Sequence, residues 1–114
     1  MIRHRRDMTT SVQHEMRGGN GDVKFLHLMT PEETFGKMRV IAELTLEKGC
    51  SIGRHSHTGE AELFIVKQGT ATVDDDGEIV KCAPGDIVYT TNGNFHALAN
   101  EEEEPLVVYA LIVN

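Results

Sequence analysis

Turn-forming residues recur along this chain at such short intervals that the segments between them can form strands but not long helices. Glycine, proline and Asp-Gly pairs separate a series of short, β-rich apolar pieces. The pieces are VKFLHL (23–28), MRVIAELTL (38–46), ELFIVKQ (62–68), TATV (70–73), EIVKC (78–82), DIVYT (86–90), FHALAN (95–100) and PLVVYALIV (105–113). With the segment around residue 55, this pattern predicts about eight or nine short strands, which is typical of an all-β sandwich or small antiparallel β-barrel.

The domain organisation follows from the same punctuation. At 114 residues the chain has room for one hydrophobic core. Residues 1–21 are polar and end in the helix-breaking RGGNG (17–21), which predicts a loosely held N-terminal arm whose first strand lies on a partner subunit. Residues 22–114 are expected to form a single barrel domain, and TPEETFG (30–36) predicts one helical turn that glycine ends.

Charge and hydropathy exclude several classes of partner. The net charge of −7 argues against nucleic acid, whose phosphates require clustered Lys and Arg. No apolar run approaches the roughly 20 residues that span a bilayer, and the N-terminus lacks the apolar core of a signal peptide. We therefore expect a cytoplasmic protein without a membrane partner, in which Cys50 and Cys82 are reduced. The acidic run 101–104 is expected to be a solvated turn.

Two histidines separated by one residue precede an inward-facing apolar row. In an extended segment, His55 and His57 point to the same side, so both rings can reach one ion. Glu62 heads the following strand, on the same face as Phe64 and Val66. A carboxylate in that position needs a partner, because an unpaired buried charge is costly.

A third histidine, His96, begins another inward row far along the chain and shares its face with Leu98 and Asn100. Buried histidines and a buried glutamate account for one another if they share a divalent cation. Glu60 has the same parity as Glu62 and is an alternative ligand on strand geometry alone.

The two segments together resemble the first and second motifs of the cupin superfamily. GCSIGRHSHTGEAELFIVKQG (49–69) carries His55, His57 and Glu62 at the spacing of the first motif, and GDIVYTTNGNFHALAN (85–100) carries His96 at that of the second. One departure is Thr91, where the second motif usually has a proline. The resemblance implies a jelly-roll barrel, also described as a double-stranded β-helix, with the metal ligands His55, His57, Glu62 and His96.

The resemblance also implies a cofactor, a partner and a kind of chemistry. Three nitrogens and one carboxylate suit Mn or Fe, and also Ni or Co, with about two positions open; Zn is possible with fewer. Cupins are frequently homodimers. Among cupins, this short single-domain chain looks most like oxalate-decarboxylase-like proteins, so a metal-dependent lyase or oxidoreductase acting on a small organic acid is the first hypothesis. The alternative is a non-catalytic module that binds metal and a small ligand for sensing or storage.

One position weakens the specific decarboxylase assignment. Oxalate-decarboxylating cupins resemble one another in carrying an arginine three residues before the first ligand histidine, where this chain has Ile52. Arg54 directly precedes His55. By simple alternation Ile52 and Arg54 both face away from the side of His55 unless a bulge intervenes.

The remaining histidines and a cysteine have simpler interpretations. His4 and His14 lie in the polar arm and are expected to be exposed. His27 is expected to be a core or surface residue of its strand, and Cys82 a core residue.

Overall fold

The computed structural model describes residues 1–114 and is almost entirely β-structure. Three single-turn 3₁₀ helices cover Arg5–Asp7, Met16–Gly18 and Glu32–Thr34. The ten strands are β1 (Thr9–His14), β2 (Asp22–His27), β3 (Met38–Leu46), β4 (Ser51–Ser56), β5 (Ala61–Gln68), β6 (Ala71–Asp75), β7 (Glu78–Cys82), β8 (Ile87–Thr90), β9 (Phe95–Ala99) and β10 (Leu106–Val113). None of the helical segments has the length and apolar character needed to cross a lipid bilayer.

The strands form two antiparallel sheets that pack as a jelly roll. One sheet has the order β1-β2-β3-β10-β5-β8 and the other the order β4-β9-β6-β7. Neighbours in each sheet are often distant in sequence: β10 at the C-terminus lies between β3 and β5. The predicted all-β class is therefore confirmed, and residues far apart in the chain are brought to the same interior.

The core consists of the predicted inward rows of both sheets. Ala42, Leu44 and Leu46 of β3 are buried, as are Phe64 and Val66 of β5. The alternate residues of these two strands point away from this core, because successive side chains of a strand point to opposite faces. Cys82 is also buried, as expected, and it is a free thiol.

The predicted turns form where the sequence places them. Asp76 and Gly77 have φ values of 49° and 99°, the left-handed pair that a two-residue hairpin requires between β6 and β7. The single helical turn after Pro31 forms at Glu32–Thr34. The acidic run 101–104 is exposed and pairs with Lys48 and Lys81 at the surface.

The N-terminal residues are tied to the domain rather than extended away from it. Strand β1 was expected on a partner subunit, but it pairs with β2 of its own chain along its whole length. Arg5 then donates two hydrogen bonds, of 2.7 and 2.9 Å, to the carboxylate of Glu43, a residue that is only 5% exposed. These hydrogen bonds lower the pKa of Glu43 although burial opposes them. A buried carboxylate on β3 is thus satisfied by a residue before β1, and the N-terminal segment is held against the sheet.

Candidate metal centre

Strand pairing brings the four predicted ligands to one end of the barrel interior. His55 of β4 lies directly opposite His96 of β9. His57 follows the end of β4, and Glu62 is the second residue of β5. The ligand atoms of all four side chains lie within 4.8 Å of one another. The structure therefore brings together the full set that the sequence indicated.

A β-bulge in β4 sets the direction of His55. The register of β4 against β9 shifts between Ile52 and His55, so two residues three apart both face the interior. Ile52 is 1% exposed and lines the same cavity as His55. Simple alternation predicts that Ile52 faces away from His55 unless a bulge intervenes; the bulge is present, so the exception applies and Ile52 faces the same side as His55. Arg54 does face outward, as expected, where it pairs with Asp74 and covers the ring of Phe95.

The ligand atoms of the cluster lie at hydrogen-bond distances from one another. The Nε2 atom of His96 lies 2.9 Å from Nε2 of His55, 3.3 Å from Nε2 of His57 and 2.8 Å from Oε1 of Glu62. Glu62 Oε1 also lies 3.0 Å from His57 Nε2. Lone pairs this close repel one another unless protons or a cation lie between them. A divalent ion can replace those protons, and its binding would release them.

The outward-facing nitrogen of each ring has its own partner. Nδ1 of His55 donates to the Gly53 carbonyl at 2.8 Å, and Nδ1 of His57 donates to Glu60 Oε1 at 3.0 Å. A carbonyl and a carboxylate can only accept, so these Nδ1 atoms carry the protons. Nδ1 of His96 lies 2.9 Å from the buried Thr90 hydroxyl, which can accept in the same way. The Nε2 atoms are thus the ones directed into the cluster, where they can bind an ion once the protons between them leave, as in metal sites whose outer hydrogen bonds orient the ligating rings.

The charge of Glu62 is maintained in this buried position. Burial raises the pKa of Glu62, but hydrogen bonds from His55 and His96 and the charges of the nearby rings outweigh burial and lower the pKa to about 2. The carboxylate is therefore ionised at neutral pH. Three imidazole nitrogens and one carboxylate oxygen converging on one point fit a divalent transition metal.

Glu60, the alternative ligand, has a different position. Its carboxylate lies outside the cluster. It accepts a hydrogen bond from His57 Nδ1 and forms a bidentate ion pair with Arg39, with hydrogen bonds of 2.8 and 3.0 Å. Arg39, and next His57, lower the pKa of Glu60 to about 2. Thr91, which stands where the second motif usually has proline, donates its hydroxyl to the Glu60 carbonyl at 2.8 Å. The departure from the motif thus supplies a hydrogen bond beside the cluster.

A cavity of about 330 Å³ adjoins the cluster. Its inner end is formed by His55, His57 and Glu62, and its walls include Phe64 and Leu44. Its mouth includes residues of the N-terminal segment, namely Gln13, Met16 and Arg17. No sequence pattern indicated these three residues, because only the tertiary fold places this polar segment at the opening of the barrel.

The other predicted candidates lie outside the cluster. His4 and His14 are exposed, as expected. His27 is half-buried, stacks on Phe25 and lies 2.8 Å from the Ser11 hydroxyl. None of the three belongs to the candidate metal site.

The fold and the site together define a class of protein. A double-sheet jelly roll that encloses a three-histidine, one-glutamate cluster able to bind a metal ion is the architecture of a metal-binding cupin. The family model described as "Cupin domain" matches residues 42–113, and the chain belongs to this family.

Individual relatives agree with this assignment. The chain is 32% identical over 113 residues to a protein of Thermotoga maritima named oxalate-binding protein, covering 99% of this chain and 93% of the relative. A crystal structure from the same organism, described as a predicted oxalate decarboxylase, has a TM-score of 0.94 and 32% identity, covering 99% and 98% of the two chains. The cupin domain of Cnp3 from Schizosaccharomyces pombe has a TM-score of 0.73 at 14% identity, covering 91% and 68%, and shares the fold.

Proposed function

We propose that this protein binds a small organic acid at a divalent metal ion held by His55, His57, Glu62 and His96. The observation that carries the proposal is the convergence of three Nε2 atoms and one carboxylate oxygen, within 4.8 Å of one another, at the inner end of a cavity. When bound, a divalent ion supplies a Lewis-acidic centre that attracts carboxylate oxygens. The four ligand side chains would hold that ion, and the apolar residues of the cavity would surround the acid.

The donor set supports Mn or Fe as the resident ion. Four protein ligands leave about two positions in an octahedral site, enough for a carboxylate to bind by one or two oxygens. Ni and Co fit the same donors, and Zn fits with fewer open positions. The absence of cysteine from the cluster favours these metals over ions that require soft sulfur ligands.

The size of the cavity and the relatives support a small organic acid as the ligand. About 330 Å³ lies at the small end of ligand pockets. The Thermotoga relative is named for oxalate binding, and oxalate is small enough for such a cavity. Oxalate is therefore the first probe of this site.

The side chains that line the cavity favour binding of the acid over its catalytic conversion. Among the side chains that form the cavity, Glu62 is the one carboxyl group, and no hydroxyl or thiol accompanies it. Decarboxylation of oxalate to formate delivers a proton to carbon, and a proton donor positioned within hydrogen-bond reach of the reacting atoms accelerates that transfer. The nearby Glu60 is already occupied by Arg39 and His57. The cavity therefore lacks a free acid, which supports the binding function ahead of a lyase or an oxidoreductase.

The test is oxalate binding by the full chain before and after metal removal. Calorimetric titration is expected to show oxalate binding to Mn-loaded protein and at least about tenfold weaker binding after chelation, since the acid would lose its principal charge partner. Carbon-13 NMR of the same mixtures would detect formate or carbon dioxide. Equal oxalate affinity with and without metal would contradict the proposal, and catalytic product formation would establish an enzyme in place of a binding protein.

We also propose that the partner is a second copy of this chain, docked on the outer face of the six-stranded sheet. Paired positions on β10, β5 and β8 place apolar side chains in two adjacent outward rows. The rows are Leu111, Leu63 and Tyr89, and Tyr109, Ile65 and Ile87. Ile87 and Tyr89 are 62% and 63% exposed, and an exposed apolar patch of this kind is typical of a protein interface.

Light scattering after size exclusion tests this interface. We expect the wild type to have twice the mass of one chain and Leu63→Lys to have the mass of one chain, because a charge in the buried centre of an interface is strongly unfavourable. Ile79→Lys is the matched control, since Ile79 is 65% exposed on β7 of the other sheet. A monomeric wild type, or a dimeric Leu63→Lys variant, would contradict the interface.

A further inference from the structure

Met16 and Arg17, which line the cavity, belong to an unusual backbone segment, residues 15–21, which we term the N-terminal strap. Glu15 and Arg17 have φ values of 48° and 56°, although neither is glycine. A residue with a Cβ atom adopts this left-handed conformation only at a cost in free energy. Such strain persists where the surrounding structure enforces it, and it is frequent at ligand sites.

Hydrogen bonds and close packing fix the strap on β4. The Ser51 amide donates to the Asn20 carbonyl at 2.8 Å, and the Asn20 amide donates to the Ser51 hydroxyl at 2.9 Å. A Cβ atom at Gly53 would overlap the Arg17 carbonyl oxygen, and one at Gly19 would overlap the Ser51 carbonyl oxygen. The two backbones therefore meet without intervening side chains, and this contact sets the position of Arg17.

The strap places a positive charge at the opening of the metal-site cavity. Arg17 and Arg39 both line the cavity with His55, His57 and Glu62. Arg39 is neutralised by its two-point pair with Glu60. The Arg17 side chain is exposed and lines the cavity, and its guanidinium takes part in no side-chain hydrogen bond or ion pair of the structure. An arginine held at a cavity by a strained backbone, with no protein partner, is suited to a ligand.

We propose that Arg17 is the residue that selects short dicarboxylates. This inference rests on the proposed function and deepens it. The metal ion would attract one end of the acid, and the Arg17 guanidinium binds the carboxylate oxygens that face the cavity mouth. A planar guanidinium donates two parallel hydrogen bonds to a carboxylate. Monocarboxylates have no second group to meet Arg17. Arg17 lies on the N-terminal strap. Its place in the fold therefore differs from that of the arginine which oxalate-decarboxylating cupins carry three residues before the first ligand histidine, where this chain has Ile52.

The test compares oxalate and malonate with acetate, using Mn-loaded full-length protein and calorimetric titration. Arg17→Met is expected to weaken oxalate and malonate binding about 10- to 100-fold, the usual value of hydrogen bonds to a charged group. Acetate affinity and metal content are expected to be unchanged. Arg17→Lys keeps the charge without the paired donors, so its affinity for oxalate should be intermediate.

The matched control is Arg6→Met, which removes another exposed arginine that does not line this cavity. Wild-type oxalate affinity in Arg17→Met would overturn the assignment of Arg17, as would an equal loss in Arg6→Met, which would indicate a general charge effect. Failure of the metal-loaded wild type to bind any of the three acids would overturn the proposed function itself, and the assignment with it. If the wild type and Arg17→Met bind oxalate equally well, the assignment of Arg17 fails while the proposed function stands.

Discussion

Replacing His96 with alanine is expected to remove stoichiometric metal from this protein. His96 is fully buried, and its Nε2 atom lies within 3.3 Å of the ligand atoms of the three other side chains. No other side chain can take its place at the centre of the cluster. Loss of an outer hydrogen bond to a ligand costs about 10- to 100-fold in metal affinity, so loss of the ligand itself should exceed roughly 100-fold. Plasma mass spectrometry after dialysis against metal-free buffer measures the content per chain.

Thermal unfolding supplies a second measurement of the same effect. An ion that binds only the folded protein raises its stability in proportion to the logarithm of ion concentration over Kd. Added Mn should therefore raise the Tm of the wild type and leave that of His96→Ala unchanged. His27→Ala is the control, because His27 lies on β2 outside the cluster. Equal metal content and an equal Tm increase in wild type and His96→Ala would refute the site.

Thr90→Val tests the outer hydrogen bond alone. Thr90 is 2% exposed, and its hydroxyl lies 2.9 Å from His96 Nδ1. The isosteric valine leaves all four candidate ligands in place, so metal content after dialysis should fall between those of the wild type and His96→Ala. The series of wild type, Thr90→Val and His96→Ala thus separates the effect of the Nδ1 hydrogen bond of His96 from that of its Nε2 ligand atom.

The candidate site could be predicted from the sequence because its ligands begin rows with clear periodicity. Glu62 precedes Phe64 and Val66 at a spacing of two, and His96 precedes Leu98, so burial of the apolar residues fixed the direction of the polar ones. Motif spacing distinguished Glu62 from Glu60, which strand parity alone could not separate. The structure places Glu62 in the cluster and Glu60 behind His57.

The features that sequence reasoning did not anticipate depend on contacts between distant segments or on a break in periodicity. A bulge turns Ile52 and His55 to the same side. The shift in alternation leaves no visible mark in the sequence, because Ile52 is the one apolar residue of β4. Strand β1 pairs within its own chain although none of its residues is buried, so it lacks the apolar row by which strands are recognised. The strap connects β1 to β2, so its position at the cavity mouth depends on that pairing.

Replacing Gly53 with alanine is expected to displace the strap, because the new methyl group would overlap the carbonyl group of Arg17. Backbone atoms cannot rotate away as a side chain can, so either β4 or the strap must move. Overpacking of this kind costs about 1–3 kcal/mol, and with backbone on both sides we expect a loss of unfolding free energy near the upper end. Urea denaturation measures that loss. Oxalate affinity should fall with it, since the displaced strap carries Arg17 away from the cavity.

Hydrogen exchange at the Ser51 amide separates strap displacement from general destabilisation. This amide donates to Asn20 in the strap, so it should lose protection selectively in Gly53→Ala and in the reciprocal variant Gly19→Ala. Gly36→Ala is the control: a Cβ atom there meets open space, and its φ of 72° imposes only a conformational cost of roughly 1–2 kcal/mol. Protection of Ser51 should persist in that variant. If Gly53→Ala kept both Ser51 protection and oxalate affinity, the strap could not be what fixes Arg17 at the cavity mouth.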